Sequence, residues 1–185
     1  MMKKRRMVKV YRFIAIKHFY NLAGYLLPIL AVFVLILGTY GSIGGLYLAP
    51  ADYQQGDAFR IIYVHVPSAF LSLFIYLVMA MAAVIGLIFR IKLADLIVSG
   101  SVFLGSWFTF LALLTGSVWA KPMWGAWWVW DARLTSELIL LFLYLGVIAL
   151  RSAIPEPRVA AKATAVLLML GLANIPIIHY SVYWW

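Results

Sequence analysis

Five apolar stretches, each long enough to cross a bilayer as a helix, constrain this sequence more than any other feature. We predict transmembrane spans at about residues 21–46, 61–89, 95–118, 133–151 and 160–181. Hydrocarbon about 30 Å thick needs roughly 20 residues of helix. With 66% hydrophobic and 11% charged residues, the 185-residue chain carries too much apolar surface for a soluble domain. The expected fold is therefore all-α, a polytopic integral membrane helical bundle of five transmembrane helices in one domain, residues 1–185.

The basic residues predict how the bundle is oriented. Twelve fall on one side of the predicted spans: Lys3, Lys4, Arg5, Arg6, Lys9, Arg12, Lys17, Arg90, Lys92, Arg151, Arg158 and Lys162. The other side has Arg60, Lys121 and Arg133. Because cytoplasmic loops carry an excess of Lys and Arg, the N-terminus is expected in the cytoplasm and the segment 119–132 outside. The net charge of +9 is spread between apolar stretches, so it does not indicate a nucleic-acid-binding face.

The predicted outer loop 119–132 is rich in tryptophan. It holds five of the eight tryptophans of the chain, and Asp131 follows the last of them. The five are Trp119, Trp124, Trp127, Trp128 and Trp130. An interfacial aromatic belt explains any one of them, but a belt would not crowd into a single loop. The indole faces suit a flat, conjugated, hydrophobic ligand, and they suit the docking of a partner protein equally well.

Two histidines are expected at the same outer face. His65 lies near the outer end of the second span, and His179 lies near the outer end of the fifth. Neutral imidazole is the commonest metal ligand and an axial ligand of haem iron. The chain has no cysteine, which excludes thiolate metal sites and covalent haem attachment. His18 falls on the cytoplasmic side and is expected to have no role in this site.

Charged residues beside these features complete the candidate site. Arg60 and Arg133 are candidates for binding carboxylates, because guanidinium groups hold carboxylates through two hydrogen bonds. For Arg133, an ion pair with Glu137 on the same helix is an alternative. Asp131 stands where it would cap the fourth helix, which is an alternative to a role in binding.

Four runs of sequence carry a resemblance to a known family. They are residues 124–135 (WGAWWVWDARLT), 49–55 (APADYQQ), 60–67 (RIIYVHVP) and 174–181 (NIPIIHYS). The first resembles the tryptophan-rich WWD signature of the haem-handling proteins of cytochrome c biogenesis, and the others resemble the haem exporter protein C family (CcmC). The similarity extends from about residue 17 to residue 185.

The resemblance implies a haem-handling function without enzymatic activity. It implies a bacterial inner-membrane protein that holds haem b transiently, with His65 and His179 as axial ligands of the iron. From the chemistry of the side chains, we expect the tryptophans and Asp131 to contact the haem, and Arg60 and Arg133 to reach its propionates. The implied partners are the periplasmic haem chaperone CcmE, the transporter subunits CcmA, CcmB and CcmD, and membrane lipid. The family normally has a sixth helix, so five of six are expected here.

Two other functions compete with haem handling. The chain could be a membrane subunit of a transporter complex whose tryptophan loop only docks a protein. It could also be a b-type cytochrome, although that class usually buries its paired histidines within the bundle. Histidines at one membrane face favour haem handling over electron transfer across the membrane.

Overall fold

The computed structural model describes residues 15–184, and these are almost entirely helical. The helices are α1 (Ile16–Ile43, continued by a π-helical turn, Gly44–Leu48), α2 (Ile62–Phe89, preceded by a 3-10 turn, Asp57–Ile61), α3 (Lys92–Trp124), α4 (Ala132–Ala153), α5 (Pro157–Gly171) and α6 (Asn174–Trp184). Six of the basic residues used to predict orientation, Lys3, Lys4, Arg5, Arg6, Lys9 and Arg12, lie outside the described residues.

Five helical segments of the described chain are long and apolar enough to cross a membrane, which confirms the predicted fold class. The fifth combines α5 with most of α6 and is interrupted at residues 172–173. Helix α3 extends to Trp124, beyond the predicted end of the third span at 118. The predicted loop 119–132 is therefore non-helical only over residues 125–131, and Trp119 and Trp124 belong to a helix.

Helices α2, α3, α4 and α5 enclose the core. Helix α2 packs on α3, α3 on α4, α4 on α5, and α5 returns to α2, while α6 packs on α4. Helix α1 has no buried residue. The turn that follows α1 reaches the bundle, where Gly45 lies directly against the ring of Tyr63.

Two fully buried tyrosines occupy the middle of this ring of helices. Tyr76 on α2 and Tyr144 on α4 meet edge to face, with ring centroids 5.4 Å apart. Glycines leave the space for both side chains, since a Cβ atom at Gly105 would overlap the Tyr144 ring and one at Gly171 would overlap the Tyr76 hydroxyl. The Tyr144 hydroxyl donates a 2.7 Å hydrogen bond to the Ser72 carbonyl.

A buried carboxylic side chain lies beside this pair. Glu137 on α4 is 7% exposed and accepts a 2.8 Å hydrogen bond from the Ser72 hydroxyl. The alternative in which Glu137 pairs with Arg133 is wrong, because Arg133 forms its ion pair with Asp131 instead. An unpaired polar group in hydrocarbon costs several kcal/mol, so Ser72 is an important partner of Glu137.

We predict that Gly105→Ala destabilises the bundle because the new methyl group displaces the Tyr144 ring. Overpacking of this kind costs about 1–3 kcal/mol. The matched control is Gly100→Ala on the same helix, where a Cβ atom meets nothing within 4 Å. That control should be neutral or stabilising, because alanine is the better helix former. Thermal unfolding in detergent measures both, and equal midpoints would contradict the prediction.

Candidate functional site

A cavity of about 380 Å³ opens at the end of the bundle where α2 and α4 begin and α3 ends. We call it the site cavity. Its lining residues are Gln55, His65, Gly116, Trp119, Ala120, Met123, Trp124, Asp131, Arg133 and Leu134. Five of the residues predicted for the site thus line one cavity. The sequence analysis did not single out Gln55, Gly116 or Met123, although Gln55 belongs to one of the family-like runs.

The His65 imidazole is held by helix α3. Its Nδ1 atom lies 3.0 Å from the Ala112 carbonyl oxygen and 3.0 Å from the Thr115 hydroxyl oxygen. The carbonyl can only accept, so Nδ1 carries the proton in the neutral ring and Nε2 keeps a lone pair. Gly116 leaves room for the ring, since a Cβ atom there would lie 3.1 Å from its Cε1 atom. Such an arrangement is typical of a histidine that ligates a metal through Nε2.

Trp119 connects the end of α3 to the loop before α2. Its ring lies edge-on to His65 with centroids 5.8 Å apart, and its indole N–H donates to the Gln55 side-chain oxygen at 2.9 Å. The Asp52 carboxylate holds the turn that carries Gln55, because it accepts from the backbone N–H groups of Gln54 and Gln55. This turn therefore forms one wall of the site cavity.

Arg60 is engaged in the same loop and does not line the site cavity. Its Nε and Nη2 atoms donate to the Ala49 carbonyl at 3.2 and 3.0 Å. Its Nη1 atom lies 3.3 Å from the carboxylate of the exposed residue Asp57. The guanidinium thus ties the segment after α1 to the start of α2. No described contact brings it to His65.

Asp131 and Arg133 form the wall contributed by the start of α4. Asp131 caps this helix as predicted, since one carboxylate oxygen accepts from the Leu134 N–H at 2.8 Å. The other oxygen accepts two hydrogen bonds from Arg133, at 2.7 and 3.0 Å. The guanidinium also lies over the Trp124 ring, 5.0 Å from its centroid. The pair places a cation beside an indole face at the cavity.

The other three tryptophans do not line the site cavity. Trp127 and Trp130 are 58% and 75% exposed, and Lys121 lies 5.9 Å from the Trp127 ring centroid. Trp128 packs edge to face against Trp130, and its indole N–H is buried without a hydrogen-bond partner in the described structure. The tryptophan cluster is thus divided between the cavity and the adjoining surface.

His179 lies on α6, outside the lining of the site cavity. Its ring meets those of Tyr180 and Tyr183, with centroids 5.2 and 6.0 Å away. The base of α6 is fixed to the start of α4, because the Asn174 amide donates to the Ser136 carbonyl at 2.9 Å. His179 extends from that point towards the same end of the bundle as His65, but the structure does not bring the two rings together.

We predict that Asp131→Ala lowers the free energy of unfolding by about 1 kcal/mol more than Asp131→Asn, because asparagine preserves the helix cap and alanine removes it. Thermal or denaturant unfolding in detergent measures the difference. Asp57→Ala is the control, since that carboxylate is exposed and its pair with Arg60 should contribute little. If both Asp131 variants lowered the free energy of unfolding equally, the helix cap would not be the stabilising contribution of this carboxylate.

Comparison with known proteins identifies relatives along nearly the whole chain. Residues 9–185 match the sequence profile of the family described as "Heme exporter protein C". The chain is 55% identical over 166 residues to Heme exporter protein C of Escherichia coli (strain K12), covering 90% of this chain and 68% of that protein. Its identity to the Haemophilus influenzae protein of the same name is 52%, with the same coverage. A putative cytochrome c biosynthesis ccmC-like mitochondrial protein of Marchantia polymorpha is 45% identical over 83% of this chain and 63% of its own length.

Proposed function

The chain belongs to the haem exporter protein C family, and we propose that it binds haem at the site cavity and presents it to the chaperone CcmE. Family membership supports the coarser role, that of a membrane component of haem export for cytochrome c biogenesis rather than an enzyme. The finer proposal is that His65 and His179 are the axial ligands of the iron. Haem is the transported cargo here, bound without a covalent link.

The observation that carries the proposal is the hydrogen bonding of His65. A buried histidine with a purely structural role would have both ring nitrogens hydrogen-bonded within the protein. In His65 only Nδ1 is bonded, to a carbonyl and a hydroxyl of α3, and no described residue is hydrogen-bonded to Nε2. This pair of acceptors selects the tautomer with a free Nε2, and a hydrogen bond at Nδ1 raises the basicity of the ligating nitrogen. His65 also lines a cavity with two indole faces and a guanidinium, a combination suited to a porphyrin with carboxylate groups.

The remaining residues of the cavity have separate proposed roles. Trp119 and Trp124 would contact the apolar porphyrin, and Arg133 would bind a propionate with the N–H donors that Asp131 leaves unused. Asp131 would orient this guanidinium. A cavity of about 380 Å³ accommodates part of the macrocycle, so the rest would extend towards α6 and His179. Arg60 is better suited to holding the Gln55 loop than to a second propionate, because each of its three side-chain nitrogens already has a partner in that region.

We propose an inner-membrane location with the site cavity on the periplasmic side, and the subunits CcmA, CcmB and CcmD as partners. In the described chain, Arg90, Lys92, Arg151, Arg158 and Lys162 gather at the opposite end of the bundle. The positive-inside rule assigns that end to the cytoplasm. The unburied helix α1 leaves its apolar circumference for lipid or for a membrane subunit.

We expect His65→Ala and His179→Ala each to remove most of the bound haem, with little further loss in the double variant. Two ligands of one iron act as a unit, so their effects are not additive. Absorption spectra and haem content of the purified protein measure the result. His18→Ala is the control, because this residue lies near the start of α1 at the opposite end. Full haem occupancy with an unchanged spectrum in both single variants would refute axial ligation.

A second candidate function, docking of a partner protein, is favoured by the exposure of Trp127 and Trp130. Large exposed aromatic side chains are typical anchors of protein interfaces. The two functions are compatible if the tryptophans are divided between them. Trp119 and Trp124, which line the site cavity, would serve haem, and Trp127 and Trp130, which do not line it, would serve CcmE.

We therefore expect Trp119→Ala/Trp124→Ala to reduce haem retention, and Trp127→Ala/Trp130→Ala to reduce haem transfer to apo-CcmE while haem retention stays near normal. Haem content and a transfer assay with purified chaperone measure the two effects separately. Each double variant replaces two tryptophans by alanine, so each serves as the control for the other. If both lose haem equally, the whole cluster serves haem; if neither changes retention or transfer, the division is wrong.

The proposed orientation is tested by single cysteines, since the chain has none of its own. We expect Val129→Cys to react with a membrane-impermeant thiol reagent in cells whose outer membrane has been permeabilised. Glu156→Cys, at the opposite end, should react only after the inner membrane is broken. Both positions are exposed, so access to the compartment rather than burial decides the outcome. The reverse labelling pattern would place the site cavity in the cytoplasm.

A further inference from the structure

A second, larger cavity of about 860 Å³ lies at the end of the bundle opposite the site cavity. We call it the basal cavity. The end of α2, the start of α3, the end of α4 and the start of α5 surround it, and Ile16 of α1 also reaches it. None of its lining residues belongs to the proposed haem site. A ligand of the basal cavity would therefore bind independently of haem at the site cavity.

The rim of the basal cavity is cationic. Arg151 is neutralised by Asp95, which it binds through two hydrogen bonds at 2.9 and 3.3 Å. The other basic lining residues form no ion pair within the described chain: Arg90, Lys92, Arg158 and Lys162. Glu156 is the remaining carboxylate of the lining. The rim therefore has an excess of positive charge available to an anion.

Thr164 adds a hydrogen-bond donor with no partner. Thr164 lines the basal cavity and is only 1% exposed. Its buried hydroxyl makes no hydrogen bond to any described residue. Other helical hydroxyls return to a carbonyl of the preceding turn, as Thr109 does at 2.8 Å and Thr115 at 2.7 Å. A buried hydroxyl without a hydrogen-bond partner is costly. A ligand in the basal cavity with an acceptor oxygen would provide the partner that the Thr164 hydroxyl lacks.

The inner walls of the basal cavity are apolar and made of small side chains. Ala82, Ala83 and Gly86 on α2 face it together with Val98 on α3. The turn that joins these helices places Arg90 at the rim in the left-handed region, with φ 55°, a position that glycine usually occupies. The cavity thus combines an apolar recess with cationic groups at its mouth.

We propose that the basal cavity binds an anionic phospholipid, with the phosphate among Arg158, Lys162 and the Thr164 hydroxyl and an acyl chain against the α2 wall. Basic pockets between transmembrane helices at the cytoplasmic face are suited to anionic lipid head groups. Haem is also an amphiphile with anionic groups. It fits less well, because the described lining contains no His, Met, Tyr or Cys to ligate iron.

The test compares lipids that differ only in head group. Purified protein in detergent is titrated with phosphatidylglycerol or phosphatidylcholine of the same acyl chains, and the unfolding temperature and the lipid retained in native mass spectrometry are recorded. We expect phosphatidylglycerol to bind preferentially. Lys162→Gln should weaken its binding about fivefold, the equivalent of roughly one cationic contact. Lys17→Gln, an exposed lysine at the same end that does not line the cavity, should leave binding unchanged.

Thr164→Val separates lipid binding from a structural role. Valine has nearly the same shape and removes the unpaired hydroxyl, so the lipid-free variant should be as stable as the parent or more so. Its stabilisation by phosphatidylglycerol should nevertheless be smaller. If the Thr164 hydroxyl had only a structural role, the substitution would change the stability of the lipid-free protein but not its stabilisation by phosphatidylglycerol.

Three outcomes would overturn the proposal. Equal responses to the two lipids would mean that no anionic head group is recognised, and equal effects of the Lys162 and Lys17 variants would place recognition elsewhere. Loss of haem from Lys162→Gln, with haem competing against phosphatidylglycerol, would make the basal cavity a haem site instead. The result is independent of the haem proposal, because His65→Ala should keep its preference for phosphatidylglycerol.

Discussion

The hydroxyl and the carbonyl of Ser72 connect the helices of this bundle through its polar interior. The hydroxyl donates a hydrogen bond to Glu137, and the carbonyl accepts one from Tyr144. One residue of α2 is thus hydrogen-bonded to two residues that lie on different turns of α4. Tyr144 in turn lies against Gly105 of α3. In hydrocarbon each of these polar groups needs a partner within the protein. The spacing between α2, α3 and α4 is thereby fixed in the middle of the membrane, and the same three helices carry the site cavity at one end.

This spacing determines what the site cavity can hold. His65 lies two turns from Ser72 on the same face of α2, and the Ala112 carbonyl that fixes its ring lies two turns from Gly105 on α3. A change in the approach of α2 to α3 would therefore lengthen the hydrogen bond at His65 Nδ1. On α4, Glu137 lies one turn below Arg133, which lines the cavity. The orientation of His65 and that of Arg133 thus depend on the same buried contacts.

The sequence was sufficient to predict the helical class and much of the cavity, because both follow from long-range patterns. Apolar runs separated by basic residues predict spans and their alternating direction, which brings His65, Trp124 and Arg133 to one end. Local pairing was harder to predict. The apolar run predicts a third span that ends at about 118, but hydropathy marks the end of an apolar segment rather than the end of a helix, and α3 continues through Pro122 to Trp124. The partner of Arg133 was also uncertain, because the spacing to Glu137 fits an ion pair, while the direction of each side chain depends on packing.

The charges of the described chain have different roles at the two ends of the bundle. At the site cavity, Asp131 uses one carboxylate oxygen for the helix cap and the other for Arg133, so the cation beside Trp124 is held in place by local contacts. At the basal cavity, only Arg151 is held in this way, by Asp95, and its basic neighbours have no acidic partner in the described structure. A guanidinium already oriented by a carboxylate loses less conformational freedom when it binds a ligand of defined shape. Lysines and arginines that are not held by an acidic partner, around an apolar recess, can adapt to a flexible anion. These differences support the proposals of a rigid porphyrin at the site cavity and of lipid at the basal cavity.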